Sequence, residues 1–352
     1  MNPAQSSPQT PTRSAAGDDA AYTSRFTEGS MKGGRWLAGQ LDERGLLPTD
    51  LSLHACHKGV WALAVAGQVE TAHRLLDAIA RHQMSAPGEF YPDGAGTEDG
   101  FRAYYAAIVL VGAARIGRID IASSAAADRL CAYQHPCGGF AGLIAPPAAT
   151  INLCVTAQCG WAALALGREQ VALRTADFIA DLFEAQPDLS RYLYFNTDPK
   201  GRLITEFPPN RAPEYRLDTV QAEQGFFYAG IAAGYLADLH TLSGRSRYLE
   251  AARGFIDFDL TTNPDSFKWP SKCKVGWGAA LLYRVTGENR YRQLAEQVAD
   301  ITWLGAQKED GSWGGMSIPL SDDGEVSLIA PHEITAEFTY ELAEVAGALA
   351  SG

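Results

Sequence analysis

The stretch AVAGQVETAHRLLDAI (residues 64–79) decides the fold: an apolar helical run ends at a glycine, and a second helical run follows. The phrase returns as ARIGRIDIASSAAADRL (114–130) and ALGREQVALRTADFI (165–179), so its glycines, Gly67, Gly117 and Gly167, are evenly spaced. Two looser copies are LSGRSRYLEAARGFIDF (242–258) and VTGENRYRQLAEQVADI (285–301). A fixed period of this size indicates a repeat architecture, in which each unit buries its apolar face only against its neighbours.

Each copy is interpreted as a helical hairpin whose glycine ends the first helix, because a residue without Cβ easily adopts the left-handed conformation there. The first helices are apolar on nearly all faces, whereas the second helices alternate apolar and charged residues. This difference separates an inner, fully buried layer from an outer layer with one wet face. Inner-type segments lie at about 56–66, 99–116, 150–166, 218–242, 272–286 and 332–350.

These six inner segments predict a closed ring. Outer-type segments follow the first five, and residues 22–44 supply the twelfth helix. The sequence therefore predicts an all-α fold, a closed (α/α)6 toroid with short loops or hairpins at the cavity mouth, formed by residues 21–352 as one domain. An open solenoid is the alternative, but its ends need polar caps and the C-terminal segment is too apolar for that. Residues 1–20 lack a hydrophobic segment and are expected to form a disordered tail.

Composition excludes several classes of protein. A formal net charge of -12 and a pI near 5.1 argue against a nucleic-acid partner, whose binding rests on clustered basic residues. No apolar run approaches the ~18 residues of a membrane span, and no signal peptide is recognisable, which predicts a cytoplasmic protein. The six cysteines show no CxxC spacing, so reduced structural thiols are expected instead of a zinc site.

Three glutamine-glycine-aromatic phrases follow outer segments: QMSAPGEF (83–90), QHPCGGF (134–140) and QKEDGSW (307–313). The last resembles the motif that recurs in squalene and oxidosqualene cyclases and, more loosely, in the terpenoid cyclase and protein prenyltransferase toroid superfamily. The resemblance implies a toroid whose outer helices are tied together by these turns, which do no chemistry themselves. Six-hairpin glycosidases and N-acylglucosamine 2-epimerase-like proteins share the toroid, so the fold does not choose among activities.

In such a toroid the N-terminal ends of the inner helices face the mouth of an axial cavity, and here these ends carry unusual polarity. Ionisable groups facing an apolar core would bear a large desolvation cost, so a solvated functional cavity is expected. The candidate acids are Glu98 and Asp99, Asp218 and Glu223, and Glu333 and Glu337; the candidate histidines are His57 and His332. Two acids at i, i+4 push their pKa values apart and can separate an acid from a base. The competing interpretation is that acids favour helix N-termini through the macrodipole.

Basic and aromatic side chains complete the predicted cavity. Lysines and an arginine at helix N-termini oppose the macrodipole unless an anion binds there, which suggests an anionic substrate group. Salt bridges to the neighbouring acids are the alternative explanation. Aromatic rings can stabilise a carbocation or stack on a sugar. The predicted substrate-binding residues are Lys58, Arg102, Tyr104, Gln158, Tyr228, Trp269, Lys272, Lys274 and Trp277.

Three functions remain open at this point. The first is a terpene-cyclase-like lyase, cyclase or isomerase that acts on an apolar small molecule with an anionic end, with Mg²⁺ only if that end is a diphosphate. The chain has neither a DDxxD metal motif nor a DxDD acid, and no metal site is predicted. The second is a carbohydrate-active enzyme, either a glycoside hydrolase or a sugar epimerase, and the third is a binding toroid without catalysis. For the enzymes we expect Asp218→Asn and Glu337→Gln to abolish turnover with little loss of stability.

Overall fold

The computed structural model of the protein describes residues 15–48, 56–90, 101–141 and 150–351. Within these ranges inner and outer helices alternate along the chain. The outer helices are α1 (Ala15–Ala38), α3 (Val69–His82), α5 (Ser124–Cys131), α7 (Glu169–Glu184), α9 (Ser246–Leu260) and α11 (Asn289–Val298). The inner helices are α2 (Gly59–Val65), α4 (Arg102–Arg115), α6 (Leu153–Ala165), α8 (Phe227–Ser243), α10 (Cys273–Thr286) and α12 (Pro331–Ser351). Helix α1 begins inside the expected tail, of which residues 1–14 lie outside the described part.

The ring is closed. Inner helices pack side by side in the order α2, α4, α6, α8, α10, α12, and α12 packs in turn against α2. Outer helix α1 packs on α12, which makes the first helix of the chain the partner of the last. The prediction of an all-α (α/α)6 toroid, with residues 22–44 contributing the twelfth helix, is confirmed.

The repeated glycines end the inner helices as predicted. All five have positive φ angles, and Gly244 and Gly287, at 69° and 66°, are the left-handed C-caps of α8 and α10. A side chain would be strained in this conformation, and glycine carries none. The period in the sequence is therefore the period of the helical hairpin.

The glutamine-glycine-aromatic turns connect neighbouring outer helices. Gln134 Nε2 donates to Gly138 O within its own turn (3.1 Å) and to Val171 O of α7 (3.0 Å). Gln307 Nε2 repeats this with Gly311 O (3.0 Å) and with Gly29 O of α1 (2.9 Å). The turn after α11 thus joins the C-terminal part of the outer layer to its first helix.

Short antiparallel strand pairs gather at the end of the toroid where the inner helices begin. They are β1 (Met84–Ala86) with β2 (Glu89–Phe90), β3 (Ile151–Asn152) with β5 (Asn196–Thr197), β4 (Tyr192–Tyr194) with β6 (Arg216–Asp218), and β7 (Met316–Pro319) with β8 (Val326–Ile329). This end forms the cavity mouth. Among the described helices, none is long and apolar enough to cross a bilayer.

Candidate active site

A cavity of about 360 Å³ opens at the N-terminal ends of the inner helices. Its floor is charged, one side wall carries amides and hydroxyls, and its roof is largely apolar. The floor is formed by Lys58, Tyr104, Cys154, Lys274, Glu333 and Glu337; the side wall includes Thr150, Asn152, Asn196, Tyr228 and Ser271; the roof includes Pro213, Met316, Ile318, Pro319, Leu320 and Ile329. The cavity lies where the sequence placed it.

Two glutamates on one face of α12 share a lysine at the floor. Lys58 Nζ, at the N-terminus of α2, donates to Glu333 Oε1 (2.9 Å) and to Glu337 Oε2 (2.6 Å). All three side chains are at most 5% exposed. Because Glu333 and Glu337 lie one turn apart, the ammonium bridges them and holds both carboxylates at the cavity surface.

A second lysine continues this network deeper along α12. Lys274, in the first turn of α10, donates to Glu337 Oε1 and to Glu341 Oε1, the latter at 3.1 Å. Glu341 is fully buried and lies one turn below Glu337. The glutamates at 333, 337 and 341 therefore form one stripe that runs from the cavity surface into the core.

The pKa values of Glu337 and Glu341 are shifted in opposite directions, because burial raises both and the neighbouring lysines lower both to different extents. Burial opposes ionisation of Glu337, but the charges of Lys274 and Lys58 outweigh it and lower its pKa to about 2. Burial dominates at Glu341 and raises its pKa to about 7, although Lys274 opposes this. Burial also opposes the charge of Lys58, yet Glu333 and Glu337 raise its pKa. Glu337 is thus a permanent anion, whereas Glu341 changes charge near neutrality.

His57 lies behind the floor glutamate nearest the mouth. Its ring is fully buried, with Nε2 3.7 Å from Glu333 Oε1. The ring also packs against Tyr105, at 4.7 Å between centroids, and against Tyr104 at 5.9 Å. This packing orients His57 toward the carboxylate.

The polar side wall is assembled by strand pairing and helix capping. Asn152 is the N-cap of α6: its Oδ1 accepts from the backbone N–H groups of Cys154 (3.0 Å) and Val155 (3.3 Å). The β3–β5 pair places Asn196 opposite Asn152, and Asn152 Nδ2 donates to Asn196 Oδ1 (2.9 Å). Tyr228 stacks on Phe195 with a centroid distance of 3.7 Å. Several hydrogen-bonding groups therefore face the cavity from rigid positions.

Two predicted substrate-binding residues lie below the floor. Trp277 stacks on Trp161 (4.6 Å between centroids) and lines a second cavity of about 440 Å³ at the opposite end of the axis. Gln158 is fully buried between the two cavities, and its side-chain amide has no hydrogen-bond partner among the described residues. On α6 and α10, the residues one turn beyond the floor face the axis but do not reach the first cavity.

Asp218 and Glu223 are not part of the floor. Helix α8 begins at Phe227, so neither acid lies on an inner helix as expected. Asp218 belongs to β6, where its Oδ2 accepts from Arg191 Nη2 (3.0 Å). Glu223 is exposed in the turn before α8. The expected helix start is wrong because residues 216–218 pair with β4 instead of continuing the helix.

Lys272 and Trp269 also lie apart from the described cavity lining. Lys272 Nζ pairs with Asp259 Oδ2 of outer helix α9 (2.8 Å), and both side chains are fully buried. Burial lowers the pKa of this lysine and raises that of the aspartate. Trp269 is half-buried just before α10. Lys272 joins the inner and outer layers, whereas Lys274, two residues later, turns to the axis.

The remaining candidates lie near the mouth or outside the described residues. Arg102 Nη2 donates to Phe90 O (2.8 Å) and thereby joins α4 to β2. His332 is half-buried in the first turn of α12, outside the described lining. Glu98 and Asp99 fall in the range 91–100, outside the part of the chain that the structure describes.

Glu341 and parts of the roof and side wall were not among the residues predicted from the sequence. Glu341 continues the i, i+4 spacing of Glu333 and Glu337, a signal that was available in the sequence. The β7–β8 hairpin was visible as two alternating stretches around the turn at 320–325. The Asn152–Asn196 contact depends on strand pairing across 44 residues, which no local pattern announces.

Cysteine chemistry is not a feature of this site. All six cysteines are free. Burial raises the pKa of the floor thiol Cys154 to about 12, so it stays protonated and is a poor nucleophile.

Cys273, Glu337 and Glu341 bring possible metal ligands within 4.8 Å of one another. The ammonium of Lys274 already contacts both carboxylates, so this group binds a cation supplied by the chain itself.

The pKa of Glu341 leads to a prediction about stability. Between about pH 4.5 and pH 7 the folded chain keeps a proton on Glu341 that the unfolded chain has released, so this group lowers stability as pH rises. A shift of this size corresponds to roughly 3 kcal/mol. We expect Glu341→Gln to gain stability relative to the wild type across this window, measured by urea unfolding from pH 5 to 8. Glu309→Gln, an exposed control, should follow the wild type. Parallel curves for all three proteins would show that Glu341 ionises normally.

Comparisons with known proteins bear on the fold. No protein-family model matches the chain, and neither does any curated protein. A solved structure of an inactive variant of the α-1,6-mannanase GH76A of Salegentibacter sp. HEL1_6, in complex with α-1,6-mannotriose, is 14% identical, with a TM-score of 0.59 over 91% of this chain and 99% of that one. A D-mannose isomerase is 11% identical (TM-score 0.61; 93% and 98% covered), and an unsaturated glucuronyl hydrolase specific for heparin is 9% identical (TM-score 0.63; 93% and 97%).

At these identities the likeness concerns the fold alone. The chain is an (α/α)6 toroid similar to those of glycosidase-like enzymes, the alternative set beside the terpenoid cyclase resemblance. These comparisons do not show membership of the terpenoid cyclase superfamily.

Proposed function

We propose that the protein is a sugar isomerase that moves a proton between neighbouring carbons of an aldose and the corresponding ketose. The observation that carries the proposal is the floor: Glu333 and Glu337 share the ammonium of Lys58, with His57 behind Glu333, under one cavity of sugar-binding character. In this proposal the glutamate is the base and the ammonium is the electrophile, with a histidine behind the base.

The charge balance favours a neutral substrate. Lys58 and Lys274 are each paired with two glutamates, so the floor has no surplus positive charge. This arrangement matches the salt-bridge explanation for the basic residues and gives no support to a diphosphate. Asparagine amides and aromatic rings on the wall are suited to the hydroxyls and the apolar face of a neutral sugar.

The placement of the acids favours isomerisation over hydrolysis. A glycosidase needs two carboxyl groups on either side of the scissile bond. Here Glu333 and Glu337 project from the same face of one helix and are bridged by one lysine. Glu214, across the mouth, is held by Arg211 at 2.5 and 2.8 Å. A proton transfer through a cis-enediol proceeds on one face of the substrate, so acid and base groups on one wall suffice.

The size of the cavity agrees with a single sugar. Its volume of about 360 Å³ lies near the lower end of the 300–1,000 Å³ typical of small-molecule sites. A roof formed by the β7–β8 hairpin and residues 213–215 stands over the floor. These dimensions suit a monosaccharide better than an extended oligosaccharide.

Each group at the floor has a role in this reaction. Glu333 takes the proton from C2 of the aldose and returns it to C1, while O2 loses its hydroxyl proton and O1 gains one. The ammonium of Lys58 stabilises the negative charge that develops on the enediol oxygen. His57 orients Glu333 and exchanges protons with it, and Glu337 keeps Lys58 charged.

The test is a panel of substrates followed by NMR. We expect the purified protein to convert at least one free hexose or pentose into its ketose, without cofactor and without cleaving glycosides. Release of reducing sugar from oligosaccharides would support a hydrolase instead. Conversion of prenyl diphosphates would support the cyclase interpretation. If the protein converts no compound of the panel, a binding toroid without catalysis is the function that remains.

A further inference from the structure

The roof of the cavity is apolar where the floor and side wall are polar. The β7–β8 hairpin pairs Met316 with Ile329 and Ile318 with Ser327. Because side chains alternate across a strand, these four lie on one face, and all four line the cavity. Three of these four residues are apolar, and Pro319 and Leu320 also line the cavity.

The hairpin lies across the cavity from the floor, and contacts at its turn hold it in place. Arg211 pairs with Glu325 in the turn as well as with Glu214. The backbone N–H of Asp322 donates to Asn210 O (2.8 Å). These contacts fix the roof in place. They join it to residues 210–214, and Glu214 of this segment also lines the cavity.

A two-stranded hairpin owes its stability to packing of an apolar face. Here Ile318 and Ile329 are only half-buried and face the cavity, so part of this face is not covered by any of the described residues. An apolar group of the substrate would complete that packing, at about 25 cal/mol for each Å² of apolar surface removed from water.

We infer that the substrate is an amphiphilic sugar: a polar ring that rests on the floor and side wall, with an acyl or alkyl substituent under the hairpin. This inference rests on the proposed function for the polar half of the ligand. The apolar half follows from Met316, Ile318 and Ile329 alone. A sugar with a free C1 and C2 and a short acyl chain on another hydroxyl fulfils both requirements.

The experiment measures binding of D-mannose, D-glucose and their 6-O-acyl esters, from acetyl to octanoyl, by calorimetry. We expect Kd to fall about fourfold for each of the first few added methylenes, from the transfer free energy of a CH₂ group. Ile318→Ser should weaken binding of the octanoyl ester roughly tenfold relative to binding of the free sugar. Leu328→Ser, on the outer face of the same hairpin and 75% exposed in the wild type, is the matched control and should change neither.

Two outcomes separate this inference from the proposed function. If the free sugars bind or react and the acyl chain adds nothing, or if Ile318→Ser and Leu328→Ser behave alike, the inference is overturned while the isomerase proposal stands. Octanoylglycerol carries the same chain without a sugar. If it binds as tightly as the octanoyl sugars, with the same loss in Ile318→Ser, the apolar roof is supported and the sugar proposal fails.

Discussion

Replacing Lys274 by methionine is expected to lower the free energy of unfolding by about 3–5 kcal/mol, the usual cost of breaking one side of a buried ion pair. Lys274 is 2% exposed and neutralises Glu337 and Glu341 together. Its loss leaves Glu341 with no cation and Glu337 with Lys58 alone. In a chain of this size the change corresponds to a fall in Tm of roughly 10 °C.

Two further variants make this result specific. Lys268→Met removes a surface lysine that pairs with Asp265 at 2.7 Å but is 76% exposed, and its Tm should stay at the wild-type value. Adding Glu341→Gln to Lys274→Met removes the buried acid that has lost its cation, so the double variant should regain part of the loss. Equal Tm values for Lys274→Met and Lys268→Met would contradict a buried network.

Glu333→Gln is expected to lower kcat by about 10²–10⁴-fold, the range found when a general base is removed. The amide keeps the shape of the side chain but cannot accept a proton from carbon. Because Glu337 still neutralises Lys58, the loss of stability should be much smaller than in Lys274→Met. The measurement is the initial rate of sugar isomerisation beside the unfolding temperature of the same sample.

Asp218→Asn is the matched control for this variant. The sequence pattern favoured Asp218 as a catalytic acid, but the structure pairs it with Arg191 away from the described cavity lining. Its kcat should stay close to the wild-type value, because the side chain does not line the described cavity. A Glu333→Gln enzyme as active as Asp218→Asn would show that the base lies elsewhere.

The buried network also changes what is expected of Glu337→Gln. The sequence suggested that this change abolishes turnover and spares stability. In the structure Glu337 is the carboxylate that both lysines share. Its neutralisation leaves buried positive charge uncompensated, so a loss of stability is expected together with any loss of activity.

The architecture could be predicted because its signals are local and repeated. A glycine that ends a helix, an apolar run that packs on all sides and a glutamine that bonds to a neighbouring helix are each readable over a few residues. Five glycines with positive φ and the closed order of the inner helices bear this out. The floor was partly predictable for the same reason, since Lys58 and Glu337 stand near the N-termini of predicted inner helices.

The positions of the other candidate residues depend on side-chain direction and strand pairing, and the periodicity of the sequence reports neither. Lys272 and Lys274 are two positions apart, which on a helix turns the side chains by about 200°, so one faces α9 and the other the axis. The two lysines share the same surrounding sequence, so local composition does not tell them apart. Asp218 was assigned to an inner helix, but it lies in β6, which pairs with a strand over 20 residues earlier in the chain. Such pairing has no local signature in the sequence, so the assignment missed it.

The central claim is that the floor glutamate moves a proton between two carbons of a sugar, and running the reaction in D₂O tests this most directly. In a cavity open to solvent the proton held by Glu333 exchanges, so the wild-type protein should place deuterium at C1 of the ketose in part of the product. Glu333→Gln should form product, and with it label, at least about a hundredfold more slowly. Ketose formed by the wild-type protein without any deuterium at C1 would contradict the account, because the hydrogen would then pass between the carbons without exchange at a solvent-accessible glutamate.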